Sequence, residues 1–225
     1  MIIVTGATRG IGRAIAEKCA QEGQTVLAIA RSTKYLREMA ADWQRFAPST
    51  LFTLSADLST AEGCAKLGQF LEQKSLSPQV LVNNVGWYRP GGLLAEEDLL
   101  PYFLGINLMA AHRMSRICIP KMLQLPHGLI INIGSVAALD FPPHMHAYTV
   151  SKAALHAWHE TLSHELSDTA IETSLIVPGA TLTSAWSIEE EQPANMLSPQ
   201  QVANLVWQTI ITPPGSRQER TILRP

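Results

Sequence analysis

The sequence predicts an α/β protein in which helices cover both faces of a doubly wound, parallel sheet of seven strands, formed as a single domain over residues 1–225. Three observations predict this fold. Short apolar runs alternate with longer amphipathic segments. A glycine-rich turn at residues 6–12 separates the first apolar run from the first helix. Hydrophobic residues make up 46% of the 225 positions, which is enough for a substantial core.

The predicted strands are the short runs rich in Val, Ile and Leu, which are typical of strands buried on both faces. The first run opens the chain, and the fifth ends at Gly134, directly before Ser135. In order, the predicted strands are residues 2–5, 25–30, 50–55, 80–82, 129–134, 172–177 and 221–225.

Helices are predicted in the intervals, several with recognisable ends. Gly23 is a typical residue just past a helix C-terminus, and Pro48 breaks the second helix. Ser198 and Pro199 suit the N-cap and first position of the last helix. In order, the predicted helices are residues 13–22, 35–46, 60–74, 99–125, 147–167 and 198–211.

Composition excludes several classes of partner. The formal net charge of -2 leaves no basic excess for nucleic acid or an anionic membrane. No apolar run reaches the length of a membrane span, and no signal peptide is recognised, so we expect a cytoplasmic protein. Cys19, Cys64 and Cys118 follow no metal-ligand spacing, which favours reduced thiols and predicts no metal site.

The first βαβ unit carries a nucleotide-binding signal. Gly6, Gly10 and Gly12 lie between the first strand and the first helix. Glycines at such a turn let the backbone approach a pyrophosphate, which then lies at the positive N-terminus of the helix. An ordinary tight βα turn is the simpler alternative.

A second signal follows the fifth strand. Ser135 comes at the carboxyl end of that strand, where ligands bind in open α/β sheets. Tyr148 and Lys152 are four positions apart on the next helix and therefore share one face. A nearby ammonium lowers the pKa of a phenol, so the three side chains suit proton transfer to or from a carbonyl oxygen. Such a Tyr–Lys pair also occurs by chance.

These motifs together resemble the short-chain dehydrogenase/reductase family. The glycine spacing is Gly-x-x-x-Gly-x-Gly, with Thr5 before it, and residues 83–86 read Asn-Asn-Val-Gly, close to the family's Asn-Asn-Ala-Gly. Tyr148 lies thirteen positions after Ser135, the usual separation in the family. The resemblance covers essentially the whole chain and implies a Rossmann fold and a nicotinamide-dependent oxidoreductase.

The resemblance implies a catalytic tetrad of Asn107, Ser135, Tyr148 and Lys152. Asn107 interrupts an apolar helical stretch, where asparagine is unfavourable without a purpose. In the family this residue holds a water that connects the lysine to solvent.

The end of the second strand indicates the cofactor. An acidic residue there binds the adenosine ribose in NAD enzymes, but this chain has Arg31 and Ser32. The resemblance therefore implies NADP(H), with Arg31 and Arg9 beside the 2′-phosphate. Asp57 is implied to bind adenine, although it also suits a helix cap. The full implied cofactor set is Gly6, Thr8, Arg9, Gly10, Ile11, Gly12, Arg31, Ser32, Asp57, Leu58, Asn84, Val85, Gly86, Tyr148, Lys152, Pro178, Gly179, Thr181 and Thr183.

The substrate side is predicted from aromatic and loop residues near the same edge. Trp87 and Tyr88 follow the fourth strand and suit either a flat substrate or an oligomer partner. His144 and Trp186 are further candidates for substrate contact, with Ser135 at the reacting carbonyl. Residues 184–197 take the place of the family's lid, and the glutamates at 189–191 suit either a cationic substrate or a solvated face.

The implied activity is interconversion of a carbonyl compound and an alcohol by hydride transfer with NADP(H). A 3-oxoacyl-thioester reductase and a sepiapterin-like pterin reductase are alternatives, and the Phe-Pro-Pro sequence at 141–143 counts modestly against carrier-bound fatty acyl chains. A non-catalytic NADP-binding sensor is the alternative from another class. The resemblance also implies a homodimer or homotetramer.

Overall fold

The computed structural model describes residues 1–45, 51–94, 96–184 and 195–225, and its centre is one parallel sheet. The strands are β1 (Ile2–Thr5), β2 (Val26–Ala30), β3 (Leu51–Ser55), β4 (Val80–Asn83), β5 (Gly128–Ile133), β6 (Ile171–Pro178) and β7 (Arg220–Leu223). Their order in the sheet is β3-β2-β1-β4-β5-β6-β7, with every neighbouring pair parallel. The seven-stranded doubly wound sheet predicted from the sequence is confirmed.

The helices of the described residues cover both faces. They are α1 (Gly10–Gln21), α2 (Thr33–Trp43), α3 (Ala61–Gln73), α4 (Leu100–Leu104), α5 (Ala110–Met122), α6 (Ala137–Asp140), α7 (His146–Leu166) and α8 (Pro199–Ile211). Ser198 caps α8, as predicted, in a reciprocal capping box with Gln201. Thr60 rather than Asp57 caps α3, because the Thr60 hydroxyl accepts a hydrogen bond from the Gly63 amide.

Two apolar clusters hold the sheet between its helices. One packs α1, α2 and α8 against one face of the sheet and includes the fully buried Trp43. The other packs α3, α5 and α7 against the opposite face, where Leu67, Met114 and Leu162 meet β-strand side chains. Burial on both sides explains why the central strands read as continuous apolar runs.

The long helix predicted for residues 99–125 is interrupted. A π-helical turn, Gly105–Met109, separates α4 from α5. Asn107 is the middle residue of that turn and is buried. The short helix α6, between Ser135 and Tyr148, was not predicted, because four residues carry no readable helical period.

Candidate active site

A cavity of about 650 Å³ lies at the carboxyl edge of the sheet. Segments that follow β1, β2, β4, β5 and β6 form most of its wall, and the first turns of α7 complete it. The order of the strands reverses between β1 and β4, and ligands of doubly wound sheets bind at such a switch point.

Most of the residues predicted from the sequence line this cavity together. They are Gly6, Thr8, Arg9, Gly10, Ile11, Gly12, Arg31, Ser32, Leu58, Asn84, Val85, Gly86, Trp87, Tyr88, Ser135, Tyr148, Lys152, Pro178, Gly179, Thr181 and Thr183. Asp57, Asn107 and His144 are not part of the wall. Trp186 and the glutamates at 189–191 lie outside the described residues.

The glycine turn is closed too tightly for side chains. A Cβ on Gly12 would lie 2.3 Å from the Gly6 carbonyl oxygen and 2.4 Å from Asn84 Nδ2. Gly6 and Gly10 have φ values of 67° and 53°, in the left-handed region that favours glycine. The turn therefore brings backbone, rather than side chains, to the cavity.

Helix α1 presents its N-terminus at this turn. Its N-cap residue, Arg9, makes no side-chain capping bond, and its first turn contains no acidic residue. The first amide groups of the helix and its positive dipole end are thus available for an anion.

Thr5, directly before the turn, anchors the residues that follow β4. Its hydroxyl oxygen accepts hydrogen bonds from the amides of Asn84 and Val85, both at 2.9 Å, and is buried. Asn84 Nδ2 donates to the Thr5 carbonyl oxygen at 2.8 Å. The end of β1 and the residues after β4 are therefore joined into one rigid wall.

The end of β2 carries positive charge. Arg31 is exposed on the cavity wall, and the Ser32 hydroxyl accepts a hydrogen bond from the Tyr35 amide as the N-cap of α2. Asp57 is not on the wall: its carboxylate accepts hydrogen bonds from the amide and hydroxyl of Ser59, which, with a smaller effect of the Arg31 charge, hold its pKa below the usual value. Asp140 is the acidic residue on the described part of the wall.

Ser135, Tyr148 and Lys152 meet at the opposite end of the cavity. Ser135 lies close enough to Tyr148 to lower the pKa of its phenol, and Ser135 Oγ accepts from the Ala137 amide at 3.2 Å. Lys152 Nζ donates to the Ile133 carbonyl oxygen at 2.9 Å, and it lies 6.0 Å from the centre of the Tyr148 ring.

Burial controls the protonation of this group. It raises the pKa of Tyr148 above its usual value, and the nearby Ser135 side chain offsets part of that rise. It lowers the pKa of Lys152 to about 8. From the sequence we expect Lys152 to lower the pKa of Tyr148, but in the structure burial leaves that pKa raised, and Ser135 is the group that partly lowers it.

Asn107 lies behind the cavity wall, where its side chain joins three elements. Its Oδ1 accepts from the Trp87 amide at 2.8 Å, and its Nδ2 donates to the Trp87 carbonyl oxygen at 3.1 Å. The same Nδ2 donates to Ser151 Oγ at 2.9 Å. The Ser151 hydroxyl in turn donates to the Tyr148 carbonyl oxygen at 2.7 Å. Asn107 thus connects the loop after β4 to the first turn of α7.

Aromatic rings form the remaining wall. Tyr88 packs edge-on against Tyr148 with ring centres 5.2 Å apart, and Trp87 stacks on Phe103 at 5.2 Å. Tyr102 packs edge-on against Trp87 at 5.1 Å. The Tyr148 phenol therefore faces an apolar environment on this side.

His144 serves the wall through its backbone. Its side chain is exposed, and its carbonyl oxygen accepts from the Gly91 amide at 2.7 Å, while the His146 amide donates to the Gly91 carbonyl oxygen at 3.1 Å. These bonds tie the loop after β4 to the start of α7.

Part of the wall is not expected from the sequence. The residues not expected there are Ile29, Ala30, Tyr35, Ala56, Tyr102, Ile106, Ile133, Gly134, Val136, Ala137, Asp140, Pro142, Met145, Ala180 and Ser184. Pro142 and Met145 had a usable signal, since they lie between Ser135 and Tyr148. Tyr102 had none, because its place depends on the orientation of α4.

Similarity to known proteins identifies the family. A family model described as short chain dehydrogenase matches residues 1–194. The chain belongs to the short-chain dehydrogenase family. This assignment makes it an oxidoreductase whose cavity lies where a nicotinamide cofactor is expected.

Among relatives of this short-chain dehydrogenase, the very-long-chain 3-oxoacyl-CoA reductase of Mycosarcoma maydis is 30% identical, over 92% of this chain and 60% of the relative. Dehydrogenase/reductase SDR family member 11 of Mus musculus is 29% identical, over 100% of this chain and 94% of the relative.

The fold agrees with solved structures. A short-chain dehydrogenase from Streptomyces avermitilis aligns with a TM-score of 0.86 at 26% identity, over 99% of this chain and 86% of that one. The L-sorbose reductase of Gluconobacter frateurii, solved with NADPH and L-sorbose, aligns with a TM-score of 0.90 at 24% identity, over 100% of this chain and 94% of that one. No helix within the described ranges is long and apolar enough to cross a membrane.

Proposed function

We propose that this chain interconverts a carbonyl compound and an alcohol with NADP(H), using Ser135, Tyr148 and Lys152 as catalytic residues. The observation that carries the proposal is that Ser135 and Tyr148 lie together on the cavity wall, close enough for Ser135 to lower the pKa of the phenol, with Lys152 one helical turn beyond. Two converging hydroxyls can hold one carbonyl oxygen, which is what reduction of a ketone or aldehyde requires.

The residues of the cavity fit a dinucleotide. The glycine turn brings backbone close to the cavity, and the uncapped N-terminus of α1 suits a pyrophosphate. At the other end, Lys152 suits the ribose beside the nicotinamide, while Gly179, Thr181 and Thr183 follow β6 at the same edge.

The charge at the end of β2 favours NADP(H) over NAD(H). The exposed Arg31 guanidinium suits a 2′-phosphate, which it can bind with several N–H donors. Asp57, the acidic residue closest in sequence to the end of β3, is already engaged by Ser59. Arg9, on the cavity wall, supplies a second cation.

The protonation state of Tyr148 suits the reductive direction. Its raised pKa keeps the phenol protonated at neutral pH, so it can donate a proton to a carbonyl oxygen. The Ser135 hydroxyl orients that oxygen, and the apolar ring of Tyr88 excludes water from the phenol. The cofactor, when bound, supplies the hydride for the carbonyl carbon.

Asn107 acts as a positioning residue in this scheme. Through Ser151 it fixes the backbone of Tyr148, and through Trp87 it fixes the loop that carries Tyr88. The two aromatic groups that border the reacting carbonyl are thereby held in one frame.

The wall chemistry favours a compact, apolar or aromatic carbonyl substrate. Trp87, Tyr88, Tyr102, Pro142 and Met145 supply apolar surface at the Tyr148 end. The 3-oxoacyl-CoA reductase similarity makes an acyl thioester the second candidate.

We also infer a homodimer or homotetramer, because the apolar side chains of Tyr102 and Val150 are exposed on neighbouring helices, α4 and α7. Light scattering of the purified protein tests this oligomeric state.

Turnover of NADPH by the purified protein tests the function. The panel should contain ketones, aldehydes, quinones, pterins and acyl thioesters, each measured with NADPH and NADH. Tyr148→Phe is expected to lower kcat on the active class by about 10²–10⁴-fold while the Kd for NADPH stays unchanged. Full turnover by this variant contradicts the scheme, and NADPH binding without turnover on any class supports the sensor instead.

A further inference from the structure

Helix α7 contacts the end of β5 through a row of three side chains. Lys152, His156 and His159 follow Tyr148 by four, eight and eleven positions and therefore lie on one helical face. Lys152 Nζ donates to the Ile133 carbonyl oxygen, and His159 Nδ1 accepts from Asn132 Nδ2 at 2.9 Å. His156, between them, makes the contact that reaches Ser135.

His156 binds the backbone of the catalytic serine. The Ser135 amide donates a hydrogen bond to His156 Nε2 at 3.3 Å, and the imidazole is only 6% exposed. The contact requires an unprotonated Nε2, because an imidazolium has no acceptor. Burial, followed by the charge of Lys152, lowers the pKa of His156 to about 4 and keeps this nitrogen unprotonated at neutral pH.

Gly134 makes room for this contact. A Cβ at position 134 would lie 2.3 Å from His156 Nε2 and 3.0 Å from its Cδ2. The Gly134 amide continues the sheet by donating to the Ile176 carbonyl oxygen at 2.7 Å. The ring of His156 therefore occupies the space beside the strand that a side chain at 134 would otherwise fill.

The geometry points to His156 as a positioning residue for Ser135. This inference rests on the proposed function, in which the Ser135 hydroxyl orients the carbonyl oxygen. The serine hydroxyl is held on one side by the Ala137 amide, and the serine backbone is held on the other by His156. Fixing both leaves Ser135 Oγ directed at Tyr148.

A double-mutant cycle tests whether His156 acts through Ser135. His156→Phe keeps a flat ring but removes the acceptor, and it is expected to lower kcat/KM for the carbonyl by about tenfold, with the Kd for NADPH unchanged. His156→Gln offers an amide oxygen and is expected to recover most of that loss. In a Ser135→Ala background, His156→Phe should have little further effect, since the group it positions is gone.

His159→Phe is the control matched to His156→Phe. It lies on the same helix, is buried, and bonds the same strand, but it does not touch Ser135. This variant is expected to have a lower free energy of unfolding, while its kcat/KM stays within about twofold of the wild-type value. The lost hydrogen bond contributes to folding and not to catalysis.

Hydrogen exchange of the Ser135 amide supplies a readout that does not depend on turnover. In His156→Phe its protection should fall by about tenfold, while the Gly134 amide stays protected. Additive losses in the cycle, or unchanged kcat/KM in an active His156→Phe, overturn the positioning role alone. A wild-type protein that binds NADPH but reduces no carbonyl overturns the proposed function, and the positioning role with it.

Discussion

Substitution of Gly134 by alanine is expected to disturb both stability and catalysis. The new methyl group would lie 2.3, 3.0 and 3.3 Å from three atoms of the His156 ring, against an ordinary contact distance of about 3.5–4 Å. The strand cannot yield, because the Gly134 amide is bonded to Ile176. The imidazole must therefore move by about 1 Å and release the Ser135 amide.

Overpacking of this kind costs about 1–3 kcal/mol, and a buried amide left without an acceptor costs about 1–3 kcal/mol more. We expect the free energy of unfolding to fall by about 2–6 kcal/mol, and kcat/KM to fall with it. Urea denaturation at pH 7 and NADPH-dependent turnover measure the two effects.

Two further variants sharpen this test. Gly128→Ala, at the start of β5, places its methyl group 3.1 Å from Ile171 and should cost less than Gly134→Ala, which lies just past the end of β5. Gly134→Ala combined with His156→Ala removes the clash and should cost less than the sum of the single changes. A Gly134→Ala protein within about 0.5 kcal/mol of the wild type would refute the packing argument.

Three other changes have defined outcomes. Arg31→Asp should move the preference from NADPH towards NADH by at least about tenfold in kcat/KM, through repulsion of the 2′-phosphate, and unchanged preference would contradict the assignment. Thr5→Val leaves the amides of Asn84 and Val85 without their acceptor and should lower the free energy of unfolding by about 2–4 kcal/mol in urea denaturation. Thr5→Ser keeps the hydroxyl and should lower it less. The pKa of His156 is lowered from 6.5 to about 4, so the unfolded state binds more protons than the folded state between these two pH values. The free energy of unfolding should therefore fall as the pH is lowered from 6.5 to 4, by at most about 3 kcal/mol. The His156→Gln protein should lack this component of the acid loss; equal pH profiles would contradict it.

Local spacing made much of the site predictable. Tyr148 and Lys152 share a face because a helix repeats every 3.6 residues, and Ser135 follows a strand that is apolar in sequence. The glycine turn was equally predictable, because glycine is the residue that fits where two backbone segments approach this closely.

Contacts between distant segments were less predictable. Nothing in the sequence around Asn107 indicates that its amide group bonds the backbone of Trp87, twenty positions away. His156 also carried no signal, because a histidine in an amphipathic helix is usually a surface or core residue. Its role depends on where β5 passes α7, which only the folded arrangement specifies.

The π-helical turn at Gly105–Met109 puts α4 and α5 out of phase. A π-turn holds one more residue than an α-turn, so it shifts every later side chain by about 100° around the axis. Deleting one residue from this turn would join the two helices and rotate the apolar stripe of α5, including Met114 and Cys118, off the sheet. The additional residue of the π-turn thus allows Asn107 to face the loop after β4 while the later turns, in α5, face the core.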